Sequence, residues 1–308
     1  MSKRRVLIVH YPSPSGQLSE VLRRLCAPLT EAEDVEVQQL VLRPRHPYPY
    51  PWPFLRFFDT FPETIYLDPP EMEPFGIDAT QHYDLVILGY QVWFLSPSGP
   101  TVGFLKNPEA QALLKDTPVV TVIGCRDMWL LAQERVKEFL AAAQAKLVGN
   151  VVLIDEGGSA LSLLATPLWM LTGKRGPRLW GLIPRAGIKP DEIAASRRFG
   201  ERMLQRLRQG NLDTSMLQGL GAVKVNTKLI TTEKAARRGF LAWGKLLRSL
   251  GKQGALARQP VVAFYVLFLI TLLLTVLPLS ALLKTLLGPL IRKRIAAQAA
   301  YFSLPSGE

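Results

Sequence analysis

Val6 to His10 is a short, unbroken apolar run of β-branched character, the pattern of a strand buried on both faces of a parallel sheet. A turn-forming stretch, Tyr11-Pro12-Ser13-Pro14-Ser15-Gly16-Gln17, follows, and Leu18, Val21, Leu22 and Leu25 then recur at helical spacing, with Ser15 placed to cap the helix. Val35–Leu42, Asp84–Tyr90, Pro118–Gly124 and Val151–Asp155 give four further strands. Between them the pattern predicts a short helix over Thr101–Leu114 and a longer one over Trp129–Lys146, whose apolar stripe is Trp129, Ala132, Val136, Phe139 and Ala143. A helix opening near Pro190, with Asp191 and Glu192 in its first turn, turns Phe199, Met203 and Leu207 inward.

Five strands alternating with helices imply an α/β fold, a doubly wound five-stranded parallel sheet with right-handed crossovers. Ligands in such sheets sit at the carboxyl ends of the strands. The loops after the first, third and fourth strands all fall on that edge. Two stretches interrupt the alternation. Residues 43–75 are dense in Pro, Tyr, Trp and Phe, which argues against regular structure and for an ordered insertion packed on the domain. Residues 157–187 read as a long loop.

After residue 209 the chain changes character. From Thr232 to Ala257, Phe240, Trp243, Leu247 and Leu250 line one side while Arg238, Lys245 and Lys252 repeat elsewhere, as in an interfacial helix. Val261–Leu283 then runs without a charge, interrupted by Pro278 and flanked by Arg248, Lys252 and Arg258 before it and Lys284, Arg292, Lys293 and Arg294 after. Its length suits a membrane helix, but basic residues at both ends keep a re-entrant or in-plane hairpin beside a single span. The expected organisation is an α/β domain over 1–209, a basic amphipathic segment over 210–259, and a hydrophobic membrane segment with a basic tail over 260–308. Residues 232–294 would make the membrane contact.

The stretch from Asn211 onward carries 13 Lys and Arg against Asp213, Glu233 and Glu308, and so holds most of the net charge of +12. Charge gathered around an apolar segment points to anionic lipid rather than nucleic acid. Cys26 and Cys125 are the only cysteines, so there is no disulfide framework or cysteine metal cluster, and the first strand begins too early for a signal peptide. These features place the expected site of action on the cytoplasmic face of a membrane.

A phosphate needs backbone N–H groups converging at a helix N-terminus, with hydroxyls beside them, and Ser13-Pro14-Ser15-Gly16-Gln17 offers both. The segment resembles the flavodoxin phosphate signature, in which two Ser or Thr, a Gly and a final Thr cradle the phosphate of FMN. Ser13, Ser15 and Gly16 match; Leu18, followed by Ser19, stands where the last Thr would be. Gly89-Tyr90-Gln91-Val92-Trp93-Phe94-Leu95-Ser96 looks like the flavodoxin loop that lays an aromatic against the isoalloxazine ring, which would make Trp93 or Phe94 the stacking residue. The arrangement is repeated at Gly124-Cys125-Arg126-Asp127-Met128-Trp129. FMN contacts are therefore expected from Ser13, Ser15, Gly16, Gln17, Leu18, Gln91, Val92, Trp93, Phe94, Gly124, Cys125, Arg126 and Asp127. His10 reads as a core residue, Cys125 as packing, and no Ser, His and Asp set or metal-ligand spacing emerges.

Three longer stretches, Pro49–Phe58 through Glu63, Tyr90–Ser98, and Gly124–Trp129 with Ala132-Gln133-Glu134, are similar to one narrow family, the flavodoxin-like proteins of dialkylresorcinol biosynthesis, labelled dialkylresorcinol condensing enzyme. The resemblance covers roughly Val6 to Leu207. Carbon–carbon condensation of acyl thioesters in ketosynthases uses a Cys with two His, or His and Asn, and this chain offers neither. The resemblance implies instead oxidative aromatisation of a dialkyl cyclohexanedione, a lipophilic substrate, with Tyr90, Asp127 or an insertion residue accepting a proton. Two other readings stand beside it: an electron carrier or quinone reductase, and a non-catalytic scaffold that docks a separate ketosynthase.

Overall fold

A computed structural model describes residues 3–12, 15–78, 80–155 and 165–307, with the side chains of 273, 274 and 276–293 outside that description. The strands are β1 (Arg4–His10), β2 (Val35–Val41), β3 (Leu85–Trp93), β4 (Ser96–Pro97), β5 (Pro118–Cys125) and β6 (Lys146–Ile154). Five of them pair in parallel in the order β2-β1-β3-β5-β6, and β4 folds back antiparallel on the end of β3. Counting the five parallel strands in chain order, the sequence across the sheet is 2-1-3-4-5. The fold is flavodoxin-like. Its strand order reverses between β1 and β3, where a crevice opens at the carboxyl edge.

Among the described residues ten α-helices cover the two faces and the ends: α1 (Gln17–Leu25), α2 (Ala27–Thr30), α3 (Phe54–Asp59), α4 (Phe61–Ile65), α5 (Gly99–Lys106), α6 (Pro108–Leu114), α7 (Leu130–Ala142), α8 (Ala165–Thr172), α9 (Pro190–Ala195) and α10 (Arg197–Gln209). Two more, α11 (Ile230–Ser249) and α12 (Gln259–Ser303), follow. Leu18, Val21, Leu22 and Leu25 of α1 are buried, with α1 packed against β3 and β5, as their spacing requires. The interior strand β3 is buried from Leu85 to Tyr90, which explains why it reads as a continuous apolar run.

Several boundaries differ from the sequence reading for identifiable reasons. The helix expected over Thr101–Leu114 is two, because Pro108 has no N–H to continue α5; Asn107 adopts an extended backbone and its side chain accepts from Ala110 N at 2.9 Å, capping α6. Strand β6 begins at Lys146, inside the expected helix, and its Gly149-Asn150 pair, which looks like a turn, lies in the ladder beside a bulge at Val119/Val120. The prolines of the 43–75 insertion do not exclude helix: Pro53 and Pro62 sit at the starts of α3 and α4, where a missing N–H costs nothing. The 157–187 stretch is not all loop, since α8 lies within it; residues 156–164 are outside the described part.

The C-terminal third is built into the domain. Met216, Leu217, Ala222, Ile230 and Phe302 belong to the main core. The exposed edge of β6 is covered: Val152 N donates to Ala222 O at 2.8 Å and Asn150 N to Ser306 Oγ at 2.7 Å. The apolar face of α11, expected at a membrane surface, is instead spent on protein. Phe240, Trp243 and Leu247 pack with Phe58, Phe61 and Ile65 of the insertion and with Val262, Tyr265 and Val266 of α12 in a second core. Among the described residues no helix is long and apolar enough to cross a membrane.

A buried ion pair and a buried carboxyl cap lock this arrangement. Arg258, with no exposed surface, pairs with Asp59 and Glu63, both at 2.8 Å, and donates to the carbonyl of Asp59 at 3.2 Å. Burial nevertheless holds the Asp59 carboxyl above the usual range. Glu233, on the first turn of α11, accepts from Leu131 N at 2.6 Å and so caps α7. Burial raises its pKa from 4.5 to about 7.

Removing Arg258 leaves the Asp59 and Glu63 carboxylates without their counter-ion, so Arg258→Ala should cost about 3–5 kcal/mol in chemical denaturation. The native state holds the Glu233 proton up to about pH 7, whereas the unfolded chain releases it near 4.5. Between those values the folded form binds more protons, and stability falls as pH rises, by on the order of 3 kcal/mol in full. Glu233→Gln, which keeps one acceptor for the α7 amides, should flatten that slope in denaturation curves taken from pH 4.5 to 8.

Candidate functional site

A cavity of about 190 Å³ opens at the carboxyl edge of the sheet, where the strand order reverses. One water needs roughly 10–15 Å³ by this measure, so the space is that of an organic ligand. Its floor comes from the three loops that the sequence singled out: Tyr11, Ser15, Gln17 and Leu18 after β1, Gln91 to Phe94 at the end of β3, and Gly124, Cys125 and Arg126 at the end of β5. Its roof comes from the insertion (Tyr50, Trp52, Phe57, Thr60) and from α8 and the stretch after it (Thr166, Trp169, Met170, Gly187). Trp52 N donates to Met170 O at 2.9 Å, which joins the two parts of the roof.

At the β1 end, Gly16 occupies the N-cap position of α1 at φ 69°, a left-handed conformation that favours glycine, and no side chain caps the helix. The cap expected from Ser15 is therefore not made. Among the described residues no side chain takes the leading N–H groups of α1, and the space beside the Gly16 Cα is open. Ser19 Oγ, next to the departure at Leu18, is buried without a hydrogen-bond partner among the described residues. Leu18 itself is buried and packs near Gly124, so it supplies wall rather than a hydrogen bond. Ser13 lies outside the described residues.

The other end is aromatic. Trp93 meets Tyr11, Tyr48 and Trp52 edge-on, with ring centroids 6.0, 5.0 and 6.0 Å away, and remains partly open to the cavity. Phe94 is used differently. At φ 47° it turns into the second core against Phe57, Phe61 and Phe240, which leaves Trp93 as the stacking candidate of the two. Gln91 donates to Tyr11 O at 2.9 Å while its Oε1 is buried and without a partner among the described residues, a polar atom that a bound ring could satisfy.

The sequence reading missed Asp155, the residue that follows β6. One oxygen pairs with Arg126 at 3.1 Å; the other accepts from Gly187 N at 2.8 Å and Thr166 Oγ1 at 3.2 Å, so it binds the roof to the floor. The only signal was its place at the end of a strand on the ligand edge. The two proton-acceptor candidates do not reach the cavity. Tyr90 alternates to the opposite face of β3 from Gln91 and donates to Gln133 Oε1 at 2.6 Å beneath α7. Asp127 turns away to accept from Met128 N at 2.9 Å and Asn226 Nδ2 at 3.3 Å. His10 is buried outside the cavity, and burial lowers its pKa.

The chain matches no protein-family model and no curated protein. Among solved structures it is similar to a flavoprotein in complex with FMN from Lactobacillus acidophilus NCFM, at 16% identity and a TM-score of 0.37 over 49% of this chain and 93% of that one. It is also similar to a flavodoxin from the domain Archaea, at 9% identity and a TM-score of 0.33 over 66% and 99%. A flavone reductase is matched at 13% identity and a TM-score of 0.33 over 66% and 63%.

Burial lifts the Cys26 thiol to about 12 and the Cys125 thiol well above its ordinary value. Neither is a thiolate at neutral pH. Ellman's reagent at pH 8 should therefore react with neither cysteine in the native protein and with both once the chain is unfolded.

Proposed function

We propose that the chain is an FMN-dependent oxidoreductase that aromatises a lipophilic cyclohexanedione to a dialkylresorcinol. The observation that carries the reading is the cavity at the strand-order reversal, with an uncapped helix N-terminus at one end and an aromatic wall with an unpaired amide oxygen at the other. The residues present fit FMN. Ser15, Gly16, Gln17 and the first α1 amides would receive the phosphate, and Trp93 and Gln91 the ring. Bound FMN would supply the two-electron oxidant that takes a hydride from the substrate ring.

This chain's own part is binding, orientation and proton removal. Trp52, Phe57, Trp169 and Met170 form an apolar roof suited to a dialkyl ring and able to exclude water. Of the described residues lining the cavity, Asp155 is the one carboxylate, and it is the group placed to accept the proton released as the ring becomes aromatic. Tyr11, held up to about 12 by burial, stays protonated at neutral pH and does not serve as the base. Arg126 keeps the Asp155 carboxylate oriented. The roof also disfavours the electron-carrier reading, because exchange with a protein partner needs an exposed ring edge.

Purified full-length protein should carry FMN, or take it up with quenching of flavin fluorescence. Gly16→Asp, which puts a negative charge where the phosphate would sit, should abolish uptake, and Trp93→Ala should weaken it about tenfold. Asp155→Asn should retain the flavin and lose most cyclohexanedione oxidation, while Asp127→Asn changes neither by more than about twofold. Folded protein that takes up no flavin would leave the scaffold reading.

A further inference from the structure

The two ends of α12 pack on the same helix. At the start, Tyr265 stacks 4.5 Å from Phe61, and Trp243 of α11 meets Phe264 and Phe268 at 6.0 and 5.3 Å. At the far end, Lys234 of α11 lies 5.6 Å over the Phe302 ring, and Tyr301 donates to Glu134 at 2.7 Å. Trp243 and Lys234 are nine residues apart on α11, about 14 Å at 1.5 Å per residue. A straight helix would separate Phe264 from Phe302 by about 57 Å, more than side-chain reach can bridge. The α12 helix is therefore bent between its two packed ends, and Pro278 and the Gly288-Pro289 pair are the residues between whose chemistry favours a bend.

We infer that α12 is a monotopic anchor, a helical hairpin that dips into one leaflet of an anionic bilayer with both of its ends on the protein's side. Leu269 to Ile291 contains one charge, Lys284, and each half of it is about 17 Å long, close to half the ~30 Å hydrocarbon thickness. On the first limb Phe264, Leu267, Phe268 and Ile270 are exposed although neighbouring Val262, Tyr265 and Val266 are buried, so the limb presents one apolar face to protein and another outward. Exposed Lys245 and Lys252 precede it and Arg292, Lys293 and Arg294 follow it, a basic collar that suits anionic headgroups. The anchor lies against the cavity: α3 seats the first limb and supplies Phe57 to the roof, and Gln253 donates to the cavity residue Thr60 at 3.0 Å.

Flotation of full-length protein with vesicles tests this without reference to flavin. Vesicles with 30% phosphatidylserine should bind at least about tenfold more tightly than neutral ones. Leu267→Glu/Ile270→Glu, which alters only exposed positions, should lose binding while circular dichroism stays native. Single cysteines at Ser249→Cys and Ala297→Cys should both react with an impermeant maleimide added outside sealed vesicles, the native thiols being buried. Protection of one site alone would establish a span and overturn the hairpin. Failure to float, or self-association through the exposed face in place of lipid binding, would overturn the anchor.

Discussion

Arg258 is the contact on which the C-terminal half of the structure depends. A guanidinium with no access to water can exist there only if its charge is met, and Asp59 and Glu63 meet it while Glu63 and the Asp59 carbonyl accept from its terminal nitrogens. All three partners belong to α3 and α4, and Arg258 immediately precedes α12. The pairing therefore fixes where the insertion ends, where the last helix begins and how α11 lies between them. A hydrophobic contact in its place would hold the elements together but leave their register free.

From that junction the site acquires its roof. The α3–α4 pair presents Phe58, Phe61 and Ile65 to the second core and Phe57 and Thr60 to the cavity, so one short helical pair serves stability on one side and binding on the other. Asp155 performs the corresponding task from the sheet, joining the end of β6 to the backbone after α8 through Gly187 and to the β5 loop through Arg126. The cavity is thus closed by two polar ties rather than by a continuous covalent path. Aromatic side chains fill the space between the ties and keep it apolar.

The parallel sheet was legible because buried strands write themselves as uninterrupted apolar runs, and the three ligand-edge loops followed from the strand ends. Ten of the thirteen residues expected to contact FMN line the cavity. Tyr90 failed for a simple reason: strand alternation sends adjacent residues to opposite faces, and Gln91 took the ligand side. Asp127 failed because its carboxylate is consumed by a local amide and by Asn226, a partner 99 residues away that spacing cannot reveal. The amphipathic stripe of α11 was read correctly as a stripe and assigned to the wrong neighbour. Periodicity reports that a face is covered, not whether protein or lipid covers it.

The distribution of charge around the cavity bears on how a phosphate would be held. Arg126 is the one cation among the described lining residues, and it is committed to Asp155. A helix N-terminus contributes about half a unit charge, worth typically 0.3–1 kcal/mol and up to about 2 kcal/mol when partly buried. The α1 amides and hydroxyls of the β1 loop would have to supply the rest through hydrogen bonds, and Leu18 takes the place of one hydroxyl of the flavodoxin phosphate signature while Ser19 Oγ stands buried beside it. A neutral cradle of this kind gains little from long-range attraction and much from exact placement. Affinity should then lean on the ring end, where Trp93 and Gln91 sit within a wall that the insertion and Arg258 hold in place.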